Sequence, residues 1–200
     1  MIKIKNISLS YGKEKVLDNI SCEIAEGQSV CFWGPSGSGK SSLLKLIMGF
    51  EIPTSGEIRI DNLLVNAENI HEIRKKIAWI PQNINLPVNN IKELAKLLYL
   101  NEEQIILFKD YARQLNPGAD ILFDKNFQDI SGGQKQRLVI AAVLSLNKKI
   151  LLMDEPTSAL DEGSVDNMIN LILKKLPLTV VSASHDKKWA DANDIILKLK

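Results

Sequence analysis

The sequence predicts an α/β domain: a mainly parallel sheet covered by helices, preceded by an N-terminal antiparallel β subdomain and interrupted by a helical insert. Three observations carry this expectation. The first residues alternate apolar and polar side chains with the two-residue period of a half-exposed strand. From residue 29 onward, short apolar runs alternate with helical patterns, the order of a parallel sheet. Between about Asn83 and Ile130 the apolar residues fall at helical spacing with no strand among them.

Taken in order, Ile2 to Leu9 alternates clearly and Ile20 to Ile24 more weakly, giving two antiparallel strands. Ser29 to Trp33 reads as a strand buried on both faces, followed by a glycine-rich turn and the helical run Ser42 to Ile47. Gly56 to Ile60 and Ile77 to Pro81 read as further strands, with a short helix around Asn69 to Lys75. In the insert, Leu94, Leu97, Leu98, Ile105, Ile106 and Phe108 mark helices from Ile91 to about Gln114. After Ser131 come a helix to about Leu146, a strand Ile150 to Met153, a helix from about Glu162 to Leu176, and strands Leu178 to Val181 and Ile195 to Lys198. No repeat or low-complexity linker divides the chain.

With 200 residues and 45% hydrophobic side chains, the chain is long enough for one core but short for two independent domains. Twenty-five basic against 24 acidic residues leave a net charge of +1, so no basic excess points to nucleic acid, and none is expected as a partner. Cys22 and Cys31 have neither metal-ligand spacing nor disulfide density, and the first residues lack the apolar core of a signal peptide, which favours a cytoplasmic setting. No apolar run approaches the roughly 18 residues of a membrane span. If a membrane is involved, another chain is expected to cross it.

Gly34-Pro35-Ser36-Gly37-Ser38-Gly39-Lys40-Ser41 satisfies G-x-x-x-x-G-K-[ST] between a buried strand and a helix start. Glycines let successive N–H groups point inward, and the helix N-terminus adds partial positive charge, so phosphate is the natural guest. In that setting Lys40 reaches the β- and γ-phosphates and Ser41 ligates Mg²⁺, with Ser42 next along the helix. Ile150 to Glu155 is an apolar strand ending in two carboxylates: Asp154 suits Mg²⁺, and Glu155 suits a general base toward water. Ser131-Gly132-Gly133-Gln134 reads as an N-cap followed by a helix turn free of bulky side chains, a second anion-attracting helix start.

The run Ile130 to Arg137 resembles the signature loop of the ABC ATPases, and it lies between the phosphate loop and the Asp-Glu strand in that family's order. Nearly the whole chain fits. The resemblance implies the ABC ATPase fold, a P-loop NTPase core in a single domain 1–200, with a core of 1–82 and 131–200 and a helical subdomain of about 83–130. It implies that Tyr11 stacks on adenine, that Gln82 contacts Mg²⁺ and water, that His185 contacts the γ-phosphate, and that Ser158 to Asp161 crosses to a partner subunit. It further implies a head-to-tail homodimer or heterodimer with another ABC ATPase, in which Ser131 and Gly133 of one subunit close over ATP held by Lys40 of the other.

Departures are mild: Ile130 stands where leucine is usual, Met153 where a branched aliphatic is commoner, and the insert is short. Only Lys198 to Lys200 end the chain, so no appended regulatory domain is expected. The leading expectation is an ATPase on the inner face of the cell membrane, docking on a separate membrane-spanning subunit through its insert. The stretch Ile84 to Val88 is either the docking surface or internal packing. A soluble ABC ATPase in repair, translation or iron–sulfur assembly is the alternative, and a small-molecule P-loop kinase is a third reading. Substrate, direction and the identity of the partner ATPase stay open.

Overall fold

The computed structural model describes residues 2–84 and 86–199. Two sheets organise it. One is antiparallel in the order β2-β1-β4-β5, from β1 (Ile2–Tyr11), β2 (Glu14–Ile24), β4 (Ser55–Ile60) and β5 (Leu63–Leu64). The other is wholly parallel in the order β6-β7-β8-β3-β9, from β3 (Ser29–Trp33), β6 (Ile77–Ile80), β7 (Ile150–Asp154), β8 (Thr179–Ser184) and β9 (Ile195–Lys198). The α/β class expected from the sequence is therefore the fold observed.

The central parallel strands β3 and β7 are mostly apolar because each serves two cores. Along β3, Val30 and Phe32 join one cluster while Cys31 joins the other; along β7, Ile150 and Leu152 face the first, Leu151 and Met153 the second. That division is the two-residue strand period expressed in a sheet covered on both sides. The first cluster takes in Ile2, Ile4 and Ile7 of β1 and Leu43, Leu44, Leu46 and Ile47 of α1 (Lys40–Ile47). The second takes in α5 (Gly132–Leu144), which is buried along most of its length, together with residues of the insert.

Within the insert, α3 (Ile91–Leu97) and α4 (Glu102–Leu115) are separate helices, followed by 3₁₀ turns at Ala119–Leu122 and Phe127–Asp129. Asn90 and Asn101 cap the two helices, and these polar starts break the helical pattern that the sequence carries as one stretch. Val88 is buried in the core and Ile84 and Leu86 pack against it, so those side chains of the Ile84 to Val88 stretch are internal packing; Asn85 lies outside the described residues. Among the described residues, the exposed large apolar side chains of the insert are instead Leu97, Tyr99, Ile106, Leu107 and Ile121, with Tyr99, Ile106 and Ile121 the most exposed.

Other differences are local. β2 begins at Glu14, β8 runs Thr179–Ser184, and the helix expected from Glu162 is α6 (Glu162–Met168) continued by a π-helical segment, Ile169–Lys175. A short helix after β8, α7 (Lys187–Asp191), and the two-residue β5 have too few residues for a period to show. The short α2 (Ile70–Lys75) lies where the sequence puts it.

Candidate functional site

The parallel register brings three strand ends together: Trp33 of β3 pairs with Ser184 of β8, and Asp154 of β7 with Ala183 of β8. The loops that leave these ends start side by side, outside the carboxyl edge of the sheet, where ligands bind in open α/β folds.

From β3 the chain enters the loop Gly34–Gly39. Gly37 and Gly39 have φ of +83° and +85°, and a Cβ on Gly39 would lie 2.7 Å from the Leu17 side chain, so only glycine fits the residue that opens α1. Pro35, Ser36 and Gly37 are exposed at the tip, while Gly34, Ser38, Gly39 and Lys40 are buried. The Ser38 hydroxyl is buried without a hydrogen-bond partner. The Lys40 ammonium donates to the carbonyls of Gly34 and Pro35, both at 2.9 Å, and lies 3.7 Å from Glu155 Oε1. A loop of inward backbone, a helix start and a buried cation is an anion site by construction.

From β7 come the two carboxylates. Ser41 donates its hydroxyl to Asp154 Oδ1 at 2.9 Å, and burial pushes the Asp154 carboxyl up from its ordinary value, with Ser41 partly opposing. Buried hydroxyl and carboxylate oxygens side by side are hard donors that fit Mg²⁺, which takes few protein ligands when phosphate supplies others. Among the described residues no cluster of three or more His, Cys, Asp or Glu could hold a metal unaided. Glu155 adopts φ +47°, an uncommon left-handed conformation for this residue type, and its N–H donates to the Ala183 carbonyl at 2.8 Å. Its Oε2 lies 2.8 Å from Nδ1 of His185, the exposed first residue after β8, whose N–H also points to it at 3.4 Å. Lys40, Glu155 and His185 are thus one contact chain.

Tyr11 stands half-exposed at the end of β1, its hydroxyl donating to Glu51 Oε2 at 2.6 Å. That bond is the main cause of its raised pKa, with the Ser42 side chain partly opposing.

Gln82 follows β6, exposed, and lines a cleft of about 560 Å³ with Gly132, Lys135, Gln136 and Ala159. Here α5 begins. Ser131 and Gln134 form a capping box, the serine hydroxyl accepting from the Gln134 backbone N–H at 3.2 Å and the Gln134 side-chain Oε1 from the Ser131 N–H at 3.0 Å. Ser131 and Gly132 are exposed, and Gly133 is half-buried. A Cβ on Gly133 would stand 2.9 Å from the Ala159 carbonyl, so this glycine lets α5 approach the loop after β7. Asp161 caps α6 through the Ser164 N–H at 2.9 Å, which together with the Ser164 hydroxyl holds its carboxyl below the ordinary value.

The structure therefore gathers Lys40, Ser41, Asp154, Glu155 and His185 at one place, with Tyr11 and Ser42 adjoining. It sets Ser131 to Gln134 with Gln82 at another, joined to the first through the β7–α6 loop that carries Asp161. Sequence reasoning placed Gln136 and Arg137 in the signature run but gave no role to either, although both tie α5 to this loop; a position one turn beyond the glycines was their only further signal.

The family model described as ABC transporter matches residues 17–158. The chain is 34% identical over 209 residues to the energy-coupling factor transporter ATP-binding protein EcfA of Aster yellows witches'-broom phytoplasma, covering 100% of this chain and 75% of that one. Among solved structures it resembles the dimeric ABC transporter cassette MJ0796 (32% identity, TM-score 0.85, 100% of this chain and 94% of that chain). The same cassette in a post-hydrolysis state with ADP and Pi matches at 30% identity and a TM-score of 0.81 over the same shares. CbiO1 of Clostridium perfringens, part of the ABC transporter complex cbiONQ, matches at 28% identity and TM-score 0.83, over 100% and 84% of the two chains.

Proposed function

As the chain belongs to the ABC transporter family, it is an ATP-binding, ATP-hydrolysing subunit of that family, and we propose how its residues divide that work. The observation that carries the proposal is the contact chain Lys40–Glu155–His185 beside the Ser41–Asp154 pair, at the mouth of an anion-binding loop.

In this reading the amides of Gly34 to Gly39 and the Lys40 ammonium hold the β- and γ-phosphates, while Tyr11 offers its half-exposed ring to the adenine. Ser41 and Asp154 would hold Mg²⁺, which when bound neutralises developing charge on the phosphate oxygens, and Gln82, just past the end of β6 beside β7, would reach it from the cleft it lines with Gly132. Glu155 accepts a proton from the attacking water, and His185, 2.8 Å away, fixes the carboxylate's orientation and stands next to the γ-phosphate position. Lys40 lies 3.7 Å from Glu155, so a phosphate that draws the ammonium away frees that carboxylate for its role as base.

Ser131, Gly132, Gly133 and Gln134 serve the nucleotide held by a second cassette, with Asp161 crossing at the same interface. The γ-phosphate is then a ligand shared by two subunits, and its loss on hydrolysis weakens the joint. Whether the second cassette is another copy or a different chain does not alter this logic.

No helix among the described residues is long and apolar enough to cross a membrane. We infer that the transport path belongs to a membrane-spanning partner chain, in keeping with the likeness to CbiO1, part of the ABC transporter complex cbiONQ, and we place this subunit peripherally on the inner face of the cell membrane. Residues 1–82 and 131–200 act as the nucleotide core, and 83–130 as the docking subdomain, through the exposed Tyr99, Ile106 and Ile121. Affinity purification from detergent-solubilised membranes tests this: a multi-span protein should copurify and stimulate ATP hydrolysis. Recovery of the chain with soluble partners alone would overturn the transport assignment.

A further inference from the structure

Arg137 is 9% exposed, on the face of α5 that carries Gly133 one turn earlier. Its Nε donates to Asn116 Oδ1 at 2.7 Å, at the C-terminal end of α4 in the insert. One terminal nitrogen donates to the Ser164 hydroxyl at 2.6 Å, which in turn donates to Asp161 Oδ2 at 2.8 Å; the same nitrogen lies 3.8 Å from that carboxylate oxygen. One residue back, Gln136 donates to the Pro156 carbonyl at 3.0 Å. The helix start and loop 156–164 are thereby stitched into one piece, and a polar link runs from it to α4.

Burying a guanidinium whose nearest carboxylate is 3.8 Å away is an expensive way to hold a core together, and burial lowers its pKa. Apolar side chains of similar volume commonly pack such places as well or better. What only the planar fork supplies is simultaneous, directed hydrogen bonding to two separate segments.

We propose that Arg137 is a positioning residue: it sets the exposed Asp161 loop relative to the helical insert, so that movement of the insert reaches the surface facing the second subunit. The proposal rests on the dimeric ATPase reading. Without Arg137, Asp161 keeps its backbone cap and the Ser164 hydroxyl bond, but the Arg137 donor that orients that hydroxyl is gone.

The test compares Arg137→Met, Arg137→Lys and Ser164→Ala with the unaltered protein, measuring thermal midpoint, KM for ATP and kcat. Arg137→Met should fold with a midpoint near the original and a similar KM, yet lose about tenfold in kcat. Arg137→Lys should recover only part of that rate, because an ammonium cannot span both partners. Ser164→Ala should lower kcat several-fold, and in the double variant add nothing to Arg137→Met. Unaltered kcat in a folded Arg137→Met protein, or additive losses in the double variant, would overturn the proposal. Should Arg137→Met fail to fold, an unaffected kcat in Ser164→Ala would do so alone. An unaltered protein without ATPase activity would instead refute the underlying function.

Discussion

The two glycine-bearing helix starts, of α1 and α5, differ in their surroundings. Around the start of α1, one chain supplies everything: Lys40 beneath the loop, Ser41 on Asp154, and Glu155 in contact with both Lys40 and His185. Around the start of α5, the capping box of Ser131 and Gln134 completes the helix, and Ser131 and Gly132 face outward. In the proposed reading the first is a site for chemistry, and the second is a surface for a ligand brought by another cassette. On that reading the chain binds nucleotide alone but completes its site only in pairs.

Changing the base gives the sharpest separation of the two regions. Glu155→Gln keeps the shape while removing the proton acceptor, so kcat should fall by about 10²–10⁴-fold. Nucleotide affinity should persist, and ATP with magnesium should now hold the dimer together in sedimentation experiments. A variant that stays monomeric at high concentration, alone and with any cassette it copurifies with, breaks the division of labour argued above.

Removing the cation acts on the first region only. Lys40→Ala should weaken ATP binding by about 100-fold in calorimetry, the scale of charge-assisted hydrogen bonds to phosphate. Unchanged affinity would show that the loop amides alone hold the nucleotide.

Ser131→Ala acts on the second. It removes the N-cap hydroxyl and a donor toward the second subunit's nucleotide, so the ATP-driven dimer of the Glu155→Gln background should weaken by about tenfold. ATP affinity of the monomer should not change, since Lys40 and its neighbours lie on other elements. A loss of monomer affinity would place the serine in its own chain's site and collapse the comparison.

The two regions were also unequally legible. Gly34 to Ser41 and Asp154-Glu155 could be read because local geometry forces them: a left-handed backbone needs glycine, and a two-faced strand needs an unbroken apolar run. The glycine turn at Ser131 was legible as a capped helix start, but its exposure is a tertiary fact. Contacts between residues far apart in the chain left no periodic trace. The Tyr11 hydroxyl on Glu51, the Lys40 approach to Glu155 and the forked bonds of Arg137 all belong here. The insert illustrates a different limit: the sequence left Ile84 to Val88 open between docking surface and internal packing, and in the fold Ile84, Leu86 and Val88 pack inward, while Tyr99 and Ile106 stand out.

The smallest effect concerns the cost of keeping the first site ready. Burial raises the Asp154 pKa above its unfolded value, so the folded protein holds this proton to higher pH than the unfolded chain. Stability then declines as pH rises from the unfolded value through the folded one, and the penalty is complete above that window. Asp154→Asn removes it while an amide oxygen still accepts from Ser41. Without nucleotide or divalent cation, the variant should melt about 2–4 °C above the original at neutral pH, for each kcal/mol of relieved penalty. The difference should vanish on acidification below the unfolded carboxylate's pKa, where both proteins are neutral at this position. Magnesium with ATP should raise the melting temperature of the original more than that of the variant, since only a carboxylate gains from a cation. Equal melting at neutral pH would mean that Ser41 already compensates the buried charge, and that Asp154 carries no strain for a metal to relieve.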